Sequence, residues 1–154
     1  ELDVEHAELC DSSGATRRLK ATLDPDLERA TFSDGDQIGV GIHTLSIRFT
    51  GALNDKLVGF YRSTFTDPDG KERTLATTQF EATHAREAFP CWDEPQYTAS
   101  FGVTLIVDAD HLAVSNAAEV ADEPNGDGRR RVTFADTLVM STYLVAFVGS
   151  VRCV

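Results

Sequence analysis

An amide and a carboxylate stand two positions apart in the stretch Thr77 to Glu81, at Gln79 and Glu81. If this stretch is extended, successive side chains alternate, so Gln79 and Glu81 share one face while Phe80 points into a core. The two polar groups would lie about 7 Å apart, and a carboxylate beside an amide suits a small cationic group such as an ammonium. A polar strand face that is simply solvated fits the same alternation, so both interpretations stand at this point.

Other residues nearby could do chemistry but have simpler explanations. Cys91 follows His84 closely enough to suggest a nucleophile with its base, although a free cysteine beside Trp92 is typical of a buried, unreactive thiol. Asp93 and Glu94 are adjacent carboxylates whose side chains should point apart, so we predict that they cap a loop rather than form an acid–base pair. We expect Trp92 to fill the core beneath this loop; an exposed Trp92 that stacks on a sugar is the alternative.

The motifs of self-contained catalytic sites are absent from the sequence. None of its histidines is paired at i, i+4, and no His-Glu-x-x-His motif occurs. There is also no Cys-x-x-Cys, no phosphate-binding glycine loop and no nucleophile elbow. We therefore predict no catalytic residue and no metal ligand within this chain.

The composition of the chain argues against some classes of binding partner and favours one cellular compartment. A net charge of −11 over 154 residues argues against binding to nucleic acid or to an anionic membrane surface. No apolar run reaches the roughly 18 to 20 residues that cross a bilayer, and no signal-peptide pattern occurs, although a chain beginning at Glu1 leaves a removed leader open. The three cysteines, Cys10, Cys91 and Cys153, are odd in number and widely spaced, so they form no disulfide framework. This favours a reducing, cytoplasmic location.

The elements that would position Gln79 and Glu81 are short strands. The run Thr66-Asp67-Pro68-Asp69-Gly70 predicts a hairpin whose second strand leads into Gln79. Residues 82–88 favour one short helix, which the following Phe-Pro ends. Apolar alternation from Ile38 to Phe49 predicts one long strand with a bulge near His43. Many short strands separated by turns predict an antiparallel all-β domain.

Three blocks of the sequence resemble, in the same order, the N-terminal domain of the aminopeptidase N family of zinc aminopeptidases. They are GFYRS (Gly59 to Ser63), TTQFEATHAREAFPCWDEP (Thr77 to Pro95) and MSTYLVAFVG (Met140 to Gly149). The resemblance covers most of the chain from about Gly39 onward.

The sequence departs from the residues that are common in this family at three positions. His84 stands where an Asp is common, Glu87 where an Arg is common, and Val139 where a Pro often precedes the Met. These positions are at the edges of the predicted helix and strand, so they bear on local packing rather than on Gln79 or Glu81.

The resemblance implies a saddle-like, multi-sheet β domain with one short helix, and residues 1–154 as most of that single domain. The first strands would lie upstream, and a catalytic domain would lie downstream of Val154 with the zinc ligands, the general-base Glu, the Gly-x-Met-Glu-Asn motif and a transition-state Tyr. The parent protein would then be a zinc metallo-aminopeptidase, while this fragment would bind no zinc and be inactive alone.

The resemblance also implies a role for each of the two polar strand residues. The position of Glu81 helps to hold the free amino group of a peptide, and the position of Gln79 lines the pocket for its first side chain. The partners would be peptide N-termini and the catalytic domain of the same chain. Two alternatives remain: a scaffold domain of a relative that has lost the zinc motif, and a carbohydrate-binding β-sandwich that uses Trp92.

Overall fold

The computed structural model describes residues 2–151, with the backbone alone for residues 150 and 151. Its named strands all pair antiparallel, and its two 3₁₀ helices have three residues each. The predicted antiparallel all-β class is therefore confirmed. Neither helix of the described region approaches the length that would cross a membrane. The chain divides into two compact units, one up to Ala52 and one from Leu53 onward.

The first unit is a four-stranded sheet in the order β3-β2-β1-β4. Its strands are β1 (Leu2–Asp11), β2 (Thr16–Asp24), β3 (Arg29–Ser33) and β4 (His43–Gly51). Ala7 and Leu9 of β1 and Leu19 of β2 are buried together, and Phe32 of β3 packs against them. Alternation along β1 thus builds one apolar face for this unit.

The long strand predicted from Ile38 to Phe49 is wrong in its first half. Strand β4 begins at His43, and residues 34–42 form bends and irregular backbone in which Val40 is fully exposed. Gly39 and Gly41 flank Val40, so the opposite face of this stretch has no side chains to bury, and glycine weakens a strand interior. The predicted bulge is instead the beginning of a strand.

The second unit contains three sheets. Their strand orders are β5-β6-β13-β9, β10-β11-β8 and β12-β7. The strands are β5 (Gly59–Thr66), β6 (Glu72–Gln79), β7 (Thr98–Ala99), β8 (Thr104–Asp108), β9 (Ala113–Ser115), β10 (Glu119–Gly126), β11 (Arg129–Phe134), β12 (Met140–Ser141) and β13 (Phe147–Val151). The first 3₁₀ helix is Ala85–Glu87 and the second is Thr142–Leu144.

A tight hairpin sets the register of β5 against β6. Asp67 Oδ1 accepts the backbone N–H groups of Asp69 at 3.0 Å and Lys71 at 2.9 Å, while Asp67 Oδ2 lies 2.9 Å from Arg73 Nε. Gly70 closes the turn with φ of +78°, a conformation that glycine adopts without penalty. The predicted hairpin is therefore confirmed, and its register places the far end of β6 opposite the beginning of β5.

Candidate functional site

Strand β6 ends at Gln79, where the two polar residues of interest begin. Gln79 is exposed and pairs across the sheet with Gly59, and Phe80 is only 2% exposed. Glu81 is exposed and opens a turn over residues 81–84, called here the 81–84 turn. The expected burial of Phe80 is confirmed, although the strand stops two residues earlier than the extended stretch we predicted.

The side-chain polar atoms of Glu81 and Gln79 are available to bind a ligand. Within residues 2–151, neither side chain takes part in a hydrogen bond or an ion pair with another described residue. A carboxylate in this state can accept hydrogen bonds from a ligand without first breaking a contact inside the protein.

The 81–84 turn is held at both of its ends by buried apolar residues. Phe80 precedes it and Ala85 follows it, and both belong to one core cluster with Val145. The Phe80 ring packs edge-on against Phe89, with 5.9 Å between the ring centroids. The backbone N–H of His84 donates to the carbonyl oxygen of Phe80 at 2.9 Å, which closes the turn. Glu81 therefore stands on a short loop with little freedom.

The helix predicted over residues 82–88 is only partly present. Its ordered part is the 3₁₀ helix Ala85–Glu87, because the first residues form the 81–84 turn instead. The peptide bond between Glu81 and Ala82 is cis. Ala85 accepts hydrogen bonds from both Ala88 and Phe89 through its carbonyl oxygen, after which Pro90 allows no continuation.

Asp93 connects the two 3₁₀ helices. Its Oδ2 accepts the backbone N–H of Arg86 at 3.0 Å and lies 3.3 Å from Arg86 Nε, while its Oδ1 accepts the hydroxyl of Thr142 at 2.9 Å. The Asp93 residue is 4% exposed, whereas Glu94 is exposed and 3.8 Å from the Arg86 guanidinium. The two acids thus form no acid–base pair, and the predicted capping by Asp93 is confirmed.

The prediction that Trp92 fills the core is wrong, because Trp92 is 74% exposed. Neighbouring side chains point apart, and Asp93 occupies the inward position because Arg86 and Thr142 bind its carboxylate there. Hydrophobicity alone favours the indole over the carboxylate as the buried side chain. The charged hydrogen bonds reverse that preference.

His84 and Glu87, two of the positions that depart from the family's common residues, contact each other. His84 Nδ1 lies 2.6 Å from Glu87 Oε1, and the side chains are 35% and 37% exposed. The backbone of Gly59 approaches the same carboxylate, since a Cβ at Gly59 would lie 3.0 Å from Glu87 Oε2. Gly59 also has φ of +71°, so a glycine is favoured there on two grounds.

Cys91 has the properties of an inert thiol. Burial, together with the negative charge of Asp93, raises the pKa of Cys91 to about 12, against a smaller opposing effect of Arg86. Its sulfur is free and packs against the cluster around Phe80. The thiolate that a nucleophile requires is therefore strongly disfavoured. Cys153 lies outside the described residues.

No group of three or more His, Cys, Asp or Glu side chains in the described part of the chain could hold a metal ion. Glu81 thus presents an exposed carboxylate without a partner among the described residues, whereas the carboxylate of Asp93 is buried.

Residues 5–144 match the family model of the peptidase M1 N-terminal domain. The chain is 54% identical over 134 residues to a protein of Caenorhabditis elegans named puromycin-sensitive aminopeptidase, covering 86% of this chain and 14% of that protein. It is 40% identical over 154 residues to aminopeptidase 2 of Candida albicans, covering 99% of this chain and 16% of the relative. It is 38% identical over 133 residues to aminopeptidase N of Acetobacter pasteurianus, covering 85% of this chain and 38% of the relative.

Proposed function

The chain belongs to the peptidase M1 N-terminal domain family, and from this premise we propose that it is the substrate-anchoring domain of a zinc-dependent aminopeptidase. Glu81 holds the free α-amino group of a peptide, and Gln79 shapes the pocket for its first side chain. The chain spans about one seventh of the length of the first relatives, so the rest of such an enzyme lies in other parts of the protein.

One observation carries the assignment to Glu81. This carboxylate is exposed and free of internal partners among the described residues, yet it is attached to a turn held by buried neighbours. A carboxylate that is available and attached to a fixed backbone suits the binding of a small cation, because the turn need not be ordered when the ligand arrives.

Anchoring the amino terminus also explains why such an enzyme removes single residues. A fixed ammonium site sets the distance from the N-terminus to the first peptide carbonyl, so the reacting carbonyl is that of the first residue. Holding the substrate in this geometry contributes to rate as well as to affinity. A peptide with a blocked amino terminus lacks the charge that Glu81 would bind.

The zinc implied by this family would be bound outside the residues described here. The described residues bring no three suitable ligands together, so they do not fit a zinc site and we assign none of them to the metal. We further propose a cytoplasmic location, because Cys10 and Cys91 are free thiols and a reducing compartment keeps thiols in that form.

The test uses the full-length aminopeptidase that we propose contains this chain. Glu81→Ala should lower kcat/KM on an aminoacyl amide about 10- to 150-fold, the equivalent of about 1.5 to 3 kcal/mol for a hydrogen bond to a charged group. Glu72→Ala, at the exposed far end of the same strand, is the matched control and should leave kcat/KM unchanged. An unaltered kcat/KM in the Glu81 variant would overturn the assignment, and an inactive wild-type protein would favour the scaffold alternative.

A further inference from the structure

The loop that follows the 81–84 turn and the first 3₁₀ helix carries a buried carboxylate, Asp93, that substrate anchoring does not itself use. The side chain of Asp93 is 1% exposed, and both of its oxygens are engaged, Oδ2 by Arg86 and Oδ1 by the Thr142 hydroxyl at 2.9 Å. The Arg86 guanidinium also donates to the Asp93 carbonyl oxygen at 2.9 Å. The backbone N–H and the guanidinium of Arg86 thus bind the carboxylate of Asp93, and the guanidinium also binds its carbonyl oxygen.

The position of this ion pair relates it directly to Glu81. Arg86 follows Ala85, the fully buried residue that ends the 81–84 turn on its C-terminal side. The Arg86 backbone N–H is itself a donor to Asp93, so the carboxylate holds the chain and not only the guanidinium. Thr142 lies in the second 3₁₀ helix, which leads to Val145 in the core cluster of Phe80 and Ala85.

The chemistry of these contacts makes the arrangement sensitive to small changes. An Asn at position 93 keeps the volume but is neutral, and its amide nitrogen replaces one of the two carboxylate oxygens that accept hydrogen bonds from Arg86 and Thr142. Arg86, whose side chain is 24% exposed, would then face a neutral amide at position 93 in place of a carboxylate, while Glu94 stays 3.8 Å from its guanidinium. Weakening one partner of a largely buried pair is disruptive, and here it also loosens the Arg86 backbone N–H, which is joined to the 81–84 turn through Ala85 alone.

We propose that the Asp93–Arg86 ion pair is a positioning element for the ammonium anchor: it fixes the 81–84 turn and acts on the reaction through Glu81. The inference rests on the proposed function of Glu81. It makes Asp93 and Arg86 positioning residues, since both act through the turn that carries Glu81.

The experiment compares two competitive ligands of the full-length enzyme, an aminoacyl hydroxamate and its analogue without the α-amino group. The measured quantity is amine discrimination, the ratio of their inhibition constants. Asp93→Asn should lower this ratio about tenfold by displacing the anchor, with the affinity of the amine-free analogue unchanged. A purely structural role would reduce the amount of folded enzyme and leave the ratio as it was.

Matched variants separate this inference from the proposed function. Glu81→Ala should abolish amine discrimination, and adding Asp93→Asn to it should have no further effect on the ratio, because the two residues act in series. Asp122→Asn removes the partner of Arg130 in another sheet of the same unit and should leave the ratio unchanged. If Glu81→Ala abolishes discrimination while Asp93→Asn preserves it, the positioning role is wrong and the anchor stands. If Glu81→Ala itself preserves discrimination, the proposed function fails.

A milder variant decides the outcome should Asp93→Asn not fold. Thr142→Val removes the hydroxyl that donates to Asp93 Oδ1, so the carboxylate loses one of the contacts that fix it against Arg86. Amine discrimination should fall about threefold, the effect of one hydrogen bond worth somewhat under 1 kcal/mol. An unchanged ratio in folded Thr142→Val enzyme would overturn the proposal in that case.

Discussion

Exchanging His84 and Glu87 for the residues common in the family tests whether these two departures compensate for one another. Their side chains meet at 2.6 Å, three residues apart along the chain. His84→Asp would bring two carboxylates together at this contact, and Glu87→Arg would set a guanidinium beside the imidazole. The double substitution H84D/E87R would replace the imidazole–carboxylate contact by a carboxylate–guanidinium pair in the opposite order.

The expected free energies follow from the exposure of the pair. Both side chains are about one third exposed, at 35% and 37%, so water and salt screen their attraction. Pairs of this kind contribute about 0.2 to 1 kcal/mol. We expect His84→Asp to lower the free energy of unfolding by about 1 kcal/mol, because it removes an attraction and adds a repulsion, and Glu87→Arg to lower it by about 0.5 kcal/mol. The double variant should return to within about 0.5 kcal/mol of the wild type, giving a coupling energy of about 1 kcal/mol.

Urea unfolding of the 154-residue chain, followed by far-ultraviolet circular dichroism, measures this cycle. High salt should reduce the coupling energy, since the contact is screened. The control is the same exchange at Arg62 and Asp55, which lie 3.9 Å apart and are 57% and 76% exposed, so their coupling should be close to zero. Strictly additive effects of the two single substitutions at 84 and 87 would refute the compensation.

Three further predictions concern other parts of the chain. Alkylation at about pH 8 should be much slower at Cys91 than at Cys10, because burial raises the pKa of Cys91 to about 12, and equal rates would contradict this. The raised pKa also means that the stability linked to the neutral thiol is present below pH 9.0 and is lost as the pH rises toward about 12. Asp67→Ala should lower the stability of the chain to urea more at neutral than at acid pH. The hydrogen bond from Arg73 lowers the pKa of Asp67, so the stability that the ionised carboxylate adds is lost as the pH falls through that pKa. Equal destabilisation at both pH values would argue against this role of Asp67. The dialysed 154-residue chain should hold no stoichiometric zinc and cleave no aminoacyl amide, and one tightly held zinc per chain by metal analysis would disprove this.

The features that could be predicted from the sequence are those with local causes. The hairpin at Asp67 to Gly70 follows from residues that act within the turn itself, through the φ of Pro68, the positive φ of Gly70 and the hydrogen bonds of Asp67. The burial of Phe80 follows from alternation along a strand whose register that hairpin sets.

The features that could not be predicted depend on partners far away along the chain. Asp93 is buried in preference to Trp92 because Thr142, 49 residues later, supplies one of its hydrogen bonds. The periodicity of a sequence does not reveal a contact at that separation. Hydrophobicity alone therefore predicted, wrongly, that Trp92 rather than Asp93 is the buried side chain. By contrast, the contact of His84 with Glu87 could have been predicted from the sequence. Both positions depart from the residues common in the family, they are three residues apart, and the acid follows the base here where the common residues have the acid first.

The most direct test of the proposed anchoring role is a crystal structure of the proposed full-length aminopeptidase with a bound aminoacyl inhibitor. We expect a carboxylate oxygen of Glu81 within about 2.7 to 3.0 Å of the inhibitor's α-ammonium nitrogen, the usual length of a charge-assisted hydrogen bond. An ammonium held by other residues, with Glu81 directed away from it into solvent, would contradict the role that we propose for this residue.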